Sequence, residues 1–203
     1  MRRGTVWLSA RSFATTLRAF MDVQVGDREP RRVEFELFGK KCPMAVENFA
    51  KLCSGENVIP PSEAMHSIGD SGFADQYLPQ LHYKGTDFHR VVPNFIVQGG
   101  DLTGSDGLSQ LSVFGPTFDA PEETMRSKFD RRGLLGTAVS APHLNGSQFF
   151  VLLAERAPHL DATCICFGRV VKGIDIFDEV QKLPLGFDGR PRTRVSVVGC
   201  GIE

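Results

Sequence analysis

The chain has 203 residues, 41% of them hydrophobic and 23% charged, which is enough for one well-cored domain and short for two. Its formal net charge of −1 gives no overall electrostatic reason for nucleic acid or an anionic membrane to bind. No uninterrupted apolar run is long enough for a secretory signal core or a membrane span.

Residues 1–18 stand apart. Arg2, Arg3, Arg11 and Arg18 with no acid make this segment +4 and leave the remainder at −5. A basic, hydroxyl-rich, acid-free start is the composition of an organelle-import presequence, and on a helical wheel Val6, Ala10, Phe13 and Leu17 share one face. Mitochondrial import is therefore one expectation for residues 1–18. The alternative is an unstructured tail or an added helix on a cytoplasmic protein. The rest, residues 19–203, reads as one domain, expected to be monomeric.

Ala19 to Val25 alternates into the Gly26-Asp27 turn, and RRVEFELF then sets Val33, Phe35 and Leu37 on one face and Glu34 and Glu36 on the other. That is a half-buried antiparallel hairpin. Pro43 suits the first turn of a helix whose inner stripe is Val46, Phe49, Ala50 and Cys53; Glu47 and Lys51 pair at i, i+4, and Gly55 stops it. Residues 57–82 hold prolines and glycines without a sustained period, which predicts a long surface excursion. It is either a tolerated insertion or a docking site for a protein partner.

FHRVVPNFIVQGGD, residues 88–101, reads as two short strands around a turn, followed by a Gly/Ser-rich loop from Thr103 to Gln110. Asn145-Gly146 is a turn, SQFFVLL and CICFGRVV are strands, a short helix around Ile174 to Leu183 turns Phe177 and Val180 inward, and RVSVVG is the last strand. Many short strands with two helices predict a closed antiparallel β-barrel, since an open arrangement would leave much exposed edge. Sixteen Phe against one Trp and two Tyr point to aromatic core filling.

Five cysteines, an odd number without a secretory signal, argue against a disulfide framework. Cys164 and Cys166 share a strand face, but two thiols make no zinc site and the five His show no ligand spacing with them. Neither a metal nor a cofactor is expected.

The 88–101 hairpin carries an arginine and a glutamine among Phe, Val and Ile, and burying either is costly unless it is paired. A three-residue loop at Pro93 to Phe95 sets Val92 opposite Ile96 and Arg90 opposite Gln98; a two-residue loop would part them. Gln148 and Phe150, at i and i+2, share a face on another strand. Two strands with polar donors beside apolar neighbours suit a shallow apolar pocket with a few oriented polar groups. No Ser-His-Asp order or carboxylate pair accompanies them, so chemistry here must proceed without a nucleophile.

FHRVVPNFIVQGGD, NGSQFFV, FELF…PMAVENFAKLCSGE and the closing VVGCGIE together resemble the cyclophilins, peptidyl-prolyl cis-trans isomerases, over about residues 19–203 interrupted by the excursion. The resemblance implies a closed eight-stranded antiparallel barrel capped by two helices, acting on X-Pro bonds of peptides and client proteins. It makes Arg90 the catalytic donor and Gln98 the residue that orients it. It places Phe95, Ile96, Phe150 and Leu160 around the proline, Ala138 and Gln148 along the adjoining groove, and Val139 beside the substrate.

Several residues depart from the family pattern. His159 stands where a tryptophan that bonds cyclosporin is common, Cys164 where a pocket histidine is expected, Val139 for an asparagine, and Ile96 for a methionine; the loop GLSQ at Gly107 to Gln110 has lost glycines. These changes imply weak cyclosporin binding and reduced activity on short peptides. A second reading makes the chain a Pro-peptide-binding module with little turnover that acts as a scaffold.

Overall fold

The computed structural model describes residues 17–55, 81–103, 107, 111–139 and 144–203. The basic segment apart from Leu17 and Arg18, the excursion up to residue 80, and most of the GLSQ loop lie outside the described residues.

The chain begins with the expected hairpin. Strand β1 (Leu17–Val25) pairs antiparallel with β2 (Arg31–Leu37) in a register that sets Ala19 opposite Phe35 and Met21 opposite Val33. Alternation decides the faces: Val33, Phe35 and Leu37 are at most 1% exposed, while their neighbours Glu34 and Glu36 reach outward to Lys172 and Arg169. Helix α1 (Pro43–Ser54) follows, with proline in its first turn and the Glu47–Lys51 pair at 2.6 Å. Gly55 ends it at φ 71°, donating its N–H to the Lys51 carbonyl.

The remaining strands are β3 (Arg90–Val92), β4 (Ile96–Gly99), β5 (Leu134–Thr137), β6 (Phe149–Leu152), β7 (Cys166–Lys172) and β8 (Val195–Ile202). They order as β3-β4-β6-β5-β7-β2-β1-β8, with every pairing antiparallel. This is the mainly β, eight-stranded architecture read from the sequence, curled rather than fully laddered. The β8 edge meets the segment entering β3 through one bridge, Asp87 to Ser196, with Phe88 N–H on the Val195 carbonyl and Val197 N–H on that of Thr86. Closure thus rests on a bridge, a weaker seam than the continuous ladder expected of a closed barrel.

Two further short helices are α2 (Pro121–Met125) and α3 (Asp175–Val180). The sequence reading missed α2, which serves α1. No side chain caps α1 from its own Cys42; instead the buried Glu123 carboxylate accepts the N–H groups of Met44 and Ala45, at 2.7 and 3.1 Å. A carboxylate at a helix start satisfies otherwise orphaned donors and favours the helix dipole.

Inside the curled sheet Phe49 of α1 is ringed by Phe35, Tyr83, Phe149 and Phe167, with centroids 5.2–5.9 Å away, and Phe177 of α3 packs on Phe88 at 5.3 Å. Each such ring, fully buried, contributes about 1.5–3 kcal/mol. A second apolar cluster lies on the opposite face of the same strands. Val97, Val151, Leu135 and Phe167 point into the barrel, whereas their neighbours Ile96, Phe150 and Leu152, Leu134, and Cys166 form the outer cluster. Being buried on both faces explains why these strands read as continuous apolar runs.

Candidate active site

The outer cluster gathers most of the residues assigned to the proline pocket. Ile96, Phe150, Ala138 and Cys164 are buried in it, and Phe95, Val139 and Leu160 pack against it partly exposed. The 88–101 hairpin supplies one wall. Its loop is the three-residue form, with Phe95 N–H on the Val92 carbonyl at 3.0 Å, and Arg90 pairs with Gln98 and Val92 with Ile96 as the spacing predicts. Asn94 takes the left-handed position of the turn, φ 60°, which asparagine tolerates better than most residues.

Polar groups run along this wall as a relay. The Gln98 amide donates to Gln148 Oε1 at 2.8 Å, and the Gln148 amide donates to the Gly107 carbonyl at 2.9 Å. Gly107 is in turn held by Asp101, whose Oδ2 accepts its N–H at 2.7 Å while Oδ1 accepts the N–H and hydroxyl of Thr103. The final Asp of FHRVVPNFIVQGGD thus anchors the far end of the relay. At the near end the exposed Arg90 guanidinium approaches Gln98 Oε1 at 3.5 Å, at the limit of a hydrogen bond. The relay fixes the face Gln98 presents and leaves the guanidinium donors turned to solvent.

The opposite wall is the 3₁₀ turn Pro158–Leu160 with the residues after it. His159 is exposed and stacks at a tilt on Phe95, with ring centroids 5.4 Å apart and planes 30° from parallel. Cys164 N–H bonds the Leu160 carbonyl, and its thiol, 5% exposed, lies 3.7 Å from the Thr163 hydroxyl. Burial raises the Cys164 pKa and pushes that of Cys166 up to about 11, so both remain thiols at neutral pH rather than nucleophilic thiolates. Cys164 therefore backs the pocket as a small apolar group and offers the substrate little surface.

Four contributors escaped the sequence reading: Asp101, Gly107, Phe129 and His89. Phe129 stacks on Phe150 at 5.5 Å and is tied to the opposite wall, its N–H donating to Asp161 and its carbonyl accepting from Ala157. Gly136 makes room for this floor: a methyl group there would overlap the Phe150 ring and lie 2.7 Å from that of Phe129. His89, next to Arg90, is 6% exposed, and neither ring nitrogen has a well-aligned partner among the described residues. Its ring lies against Gly107, where a Cβ would approach it to 3.3 Å. Among the described residues no group of His, Cys, Asp or Glu could hold a metal ion.

A guanidinium at the edge of an apolar pocket, held beside an amide relay and free of nucleophiles, matches the arrangement that the hairpin and NGSQFF motifs imply. Residues 20–202 match the family described as cyclophilin type peptidyl-prolyl cis-trans isomerase/CLD. The chain belongs to the cyclophilin family. It is 35% identical over 188 residues to "Peptidyl-prolyl cis-trans isomerase 9" of Caenorhabditis elegans, covering 93% of this chain and 55% of that protein. It is also 35% identical over 186 residues to "Peptidyl-prolyl cis-trans isomerase B" of Saccharomyces cerevisiae, covering 92% of this chain and 80% of the relative. The chain therefore spans about half of the worm protein and most of the yeast one. As a cyclophilin, it has the eight-stranded curled sheet of the fold, with Arg90 at the edge of the apolar cluster wall formed by the hairpin.

Proposed function

We propose that this cyclophilin catalyses cis-trans isomerisation of X-Pro bonds, with Arg90 as the donor that lowers the barrier. An X-Pro bond rotates over about 18–20 kcal/mol because amide resonance must be broken, so the uncatalysed exchange takes tens to hundreds of seconds. As the bond twists, the proline nitrogen turns pyramidal and its lone pair becomes available. A guanidinium donating to that nitrogen binds the twisted state better than either planar one, which is the differential binding catalysis requires. Arginine suits the task because it stays charged and presents its donors in a rigid fork.

The observation that carries this reading is the relay. It holds Gln98 from behind, and the exposed Arg90 guanidinium stands beside Gln98 on the same hairpin whose Phe95 and Ile96 belong to the apolar cluster. In this reading Ile96, Phe150 and Leu160 wall the proline, and Ala138, Val139 and Gln148 flank the peptide. The experiment is isomerisation of an X-Pro peptide by wild type and Arg90→Ala. We expect acceleration by the wild type and a loss of about 10²–10³ in kcat/KM in the variant. Two proteins that both leave the peptide at its uncatalysed rate while still binding it would replace the enzyme with a Pro-peptide-binding module. His159, Cys164, Val139 and the altered GLSQ loop are the features that favour that second reading.

The same reading makes cyclosporin a weak ligand, because His159 offers an imidazole where the family commonly offers an indole donor. For the basic, acid-free segment 1–18 we propose mitochondrial import, with the cut ahead of Leu17 because Leu17 and Arg18 already pair with Leu37 and Glu36 in β1. A cut there leaves β1 whole, with Leu17 opposite Leu37 and Glu203 N–H on the Arg18 carbonyl. Sequencing the N-terminus of the cellular protein checks this; an intact Met1 in the cytosol would contradict it.

A further inference from the structure

Among the described residues, Phe187 is the most exposed of the large hydrophobic side chains, at 113% of its reference surface. Single exposed apolar residues are common and by themselves mean nothing. Phe187 differs in where it stands and how firmly. It sits in a tight turn: Gly186 N–H bonds the Arg190 carbonyl at 2.8 Å, Gly189 N–H returns to the Gly186 carbonyl at 3.1 Å, and Asp188 Oδ1 accepts the Arg190 N–H at 3.0 Å. A bridge between Leu185 and Pro191 closes the base.

That turn is fastened to the strand bearing the catalytic donor. Val91 N–H bonds the Gly189 carbonyl at 2.8 Å on the free edge of β3. Gly189 runs so close, at φ 80°, that a Cβ there would lie 2.9 Å from the Val91 carbonyl oxygen and 3.6 Å from Arg90 Cγ. Phe187 is two residues from this contact. A bare aromatic ring is therefore carried on a hydrogen-bonded turn whose Gly189 lies against Arg90, which reduces the ordering cost of binding.

We propose that Phe187 is a client-contacting residue, an aromatic anchor beside Arg90 for an apolar side chain flanking the X-Pro bond. The partner is the client chain itself, because the turn is bonded to β3 at Val91 and lies against Arg90, the residue that the X-Pro bond of a client would meet. Aromatic residues on rigid supports are the usual anchors of peptide contacts. The inference rests on the isomerase reading for its substrate, and the test separates the two.

Two X-Pro peptides, one with Phe on both sides of the X-Pro unit and one with Gly there, are isomerised by wild type, Phe187→Ala and Phe187→Tyr. Phe187→Ala should lose about three- to tenfold in kcat/KM on the Phe-flanked peptide through KM. It should match wild type on the Gly-flanked peptide, Phe187→Tyr should retain the preference, and the melting temperature should not move. Equal effects on both peptides, whether a shared loss or none, overturn the proposal. If wild type turns over neither peptide, the isomerase reading fails. Equilibrium binding of the Phe-flanked peptide to wild type and Phe187→Ala then decides the anchor alone: a weaker Kd supports it and an equal Kd sinks it.

Discussion

The two walls of the pocket are built on different physics. The hairpin wall is held by directed bonds from Gln98 through Gln148 and Gly107 to Asp101, each polar group fixed by the next. The 3₁₀ wall meets the pocket by shape and contact, through the His159–Phe95 stack and the Leu160 side chain, while its hydrogen bonds, such as Phe129 N–H to Asp161, tie it to the floor behind. Replacing one amide of the relay would leave its neighbour unpaired at a cost of about 1–3 kcal/mol. A wall that supplies mainly surface can exchange tryptophan for histidine, or histidine for cysteine, without orphaning a buried polar group. The departures read from the sequence follow this only in part: His159 and Cys164 lie on the second wall and the hairpin strands change only at Ile96, an apolar residue for an apolar one, but Val139 and the GLSQ loop that begins at Gly107 lie outside the second wall.

The sharpest way to break this contrast is to damage each wall in turn. Arg90→Ala, at about 10²–10³ in kcat/KM, should exceed the effect of any single truncation on the 3₁₀ wall. Leu160→Ala is the matched control, because it removes surface and no oriented donor. We expect it to raise KM about tenfold or less, as for loss of a few methylene contacts. A larger loss from Leu160→Ala than from Arg90→Ala would show that the pocket works by enclosure, and the assignment of roles would have to be reversed.

The floor joins both walls, and Gly136→Ala probes it. The added methyl must displace Phe150 or Phe129, neither of which has open space in which to move. Overpacking of this kind costs about 1–3 kcal/mol. Urea unfolding should report that loss, and turnover should fall because Phe150 tilts into the proline site. An unchanged unfolding midpoint with full activity would mean that the floor yields and specifies neither wall.

His159→Trp restores surface and an N–H donor to the 3₁₀ wall alone. Cyclosporin affinity should rise about five- to tenfold, the value of roughly one hydrogen bond, with little change in isomerisation rate. Titration of both proteins gives the answer. Nanomolar binding by the wild type would show that the indole is dispensable here.

How much of this was visible in the sequence follows the same division. The Arg90–Gln98 pairing could be read because a three-residue loop fixes register, and register fixes which residues face each other. The faces of β1, β2 and α1 followed from alternation and helical spacing. Phe129 could not be read, since it lies in irregular chain and meets Phe150 only through the fold. Glu123 is the same kind of contact: it caps α1 from 79 residues away. The pattern FDAPEET, with proline followed by two acids, does carry a helix-start signal for α2 that the reading passed over. The extent of barrel closure depends on a single bridge between distant segments, which no local pattern encodes.

His89 gives the smallest effect and ties the relay to pH. Its ring is buried against Gly107 beside Gln148, with Asp101 and Arg190 as the charged groups facing it. Burial lowers its pKa below the usual 6.5, and the attraction of Asp101 only partly offsets this. The unfolded chain therefore binds the proton more readily than the folded one. Stability from the neutral ring is complete above pH 6.5 and declines as pH falls from there through the folded-state pKa. Because His89 adjoins the anchor of the relay, its protonation in the folded protein should also loosen Gln148 and lower turnover as pH falls through the folded-state pKa, the acid end of that window. His89→Gln removes the titration and should flatten both profiles below pH 6.5. If the variant loses stability and activity with acid as steeply as wild type, the acid response arises elsewhere and the relay is indifferent to His89.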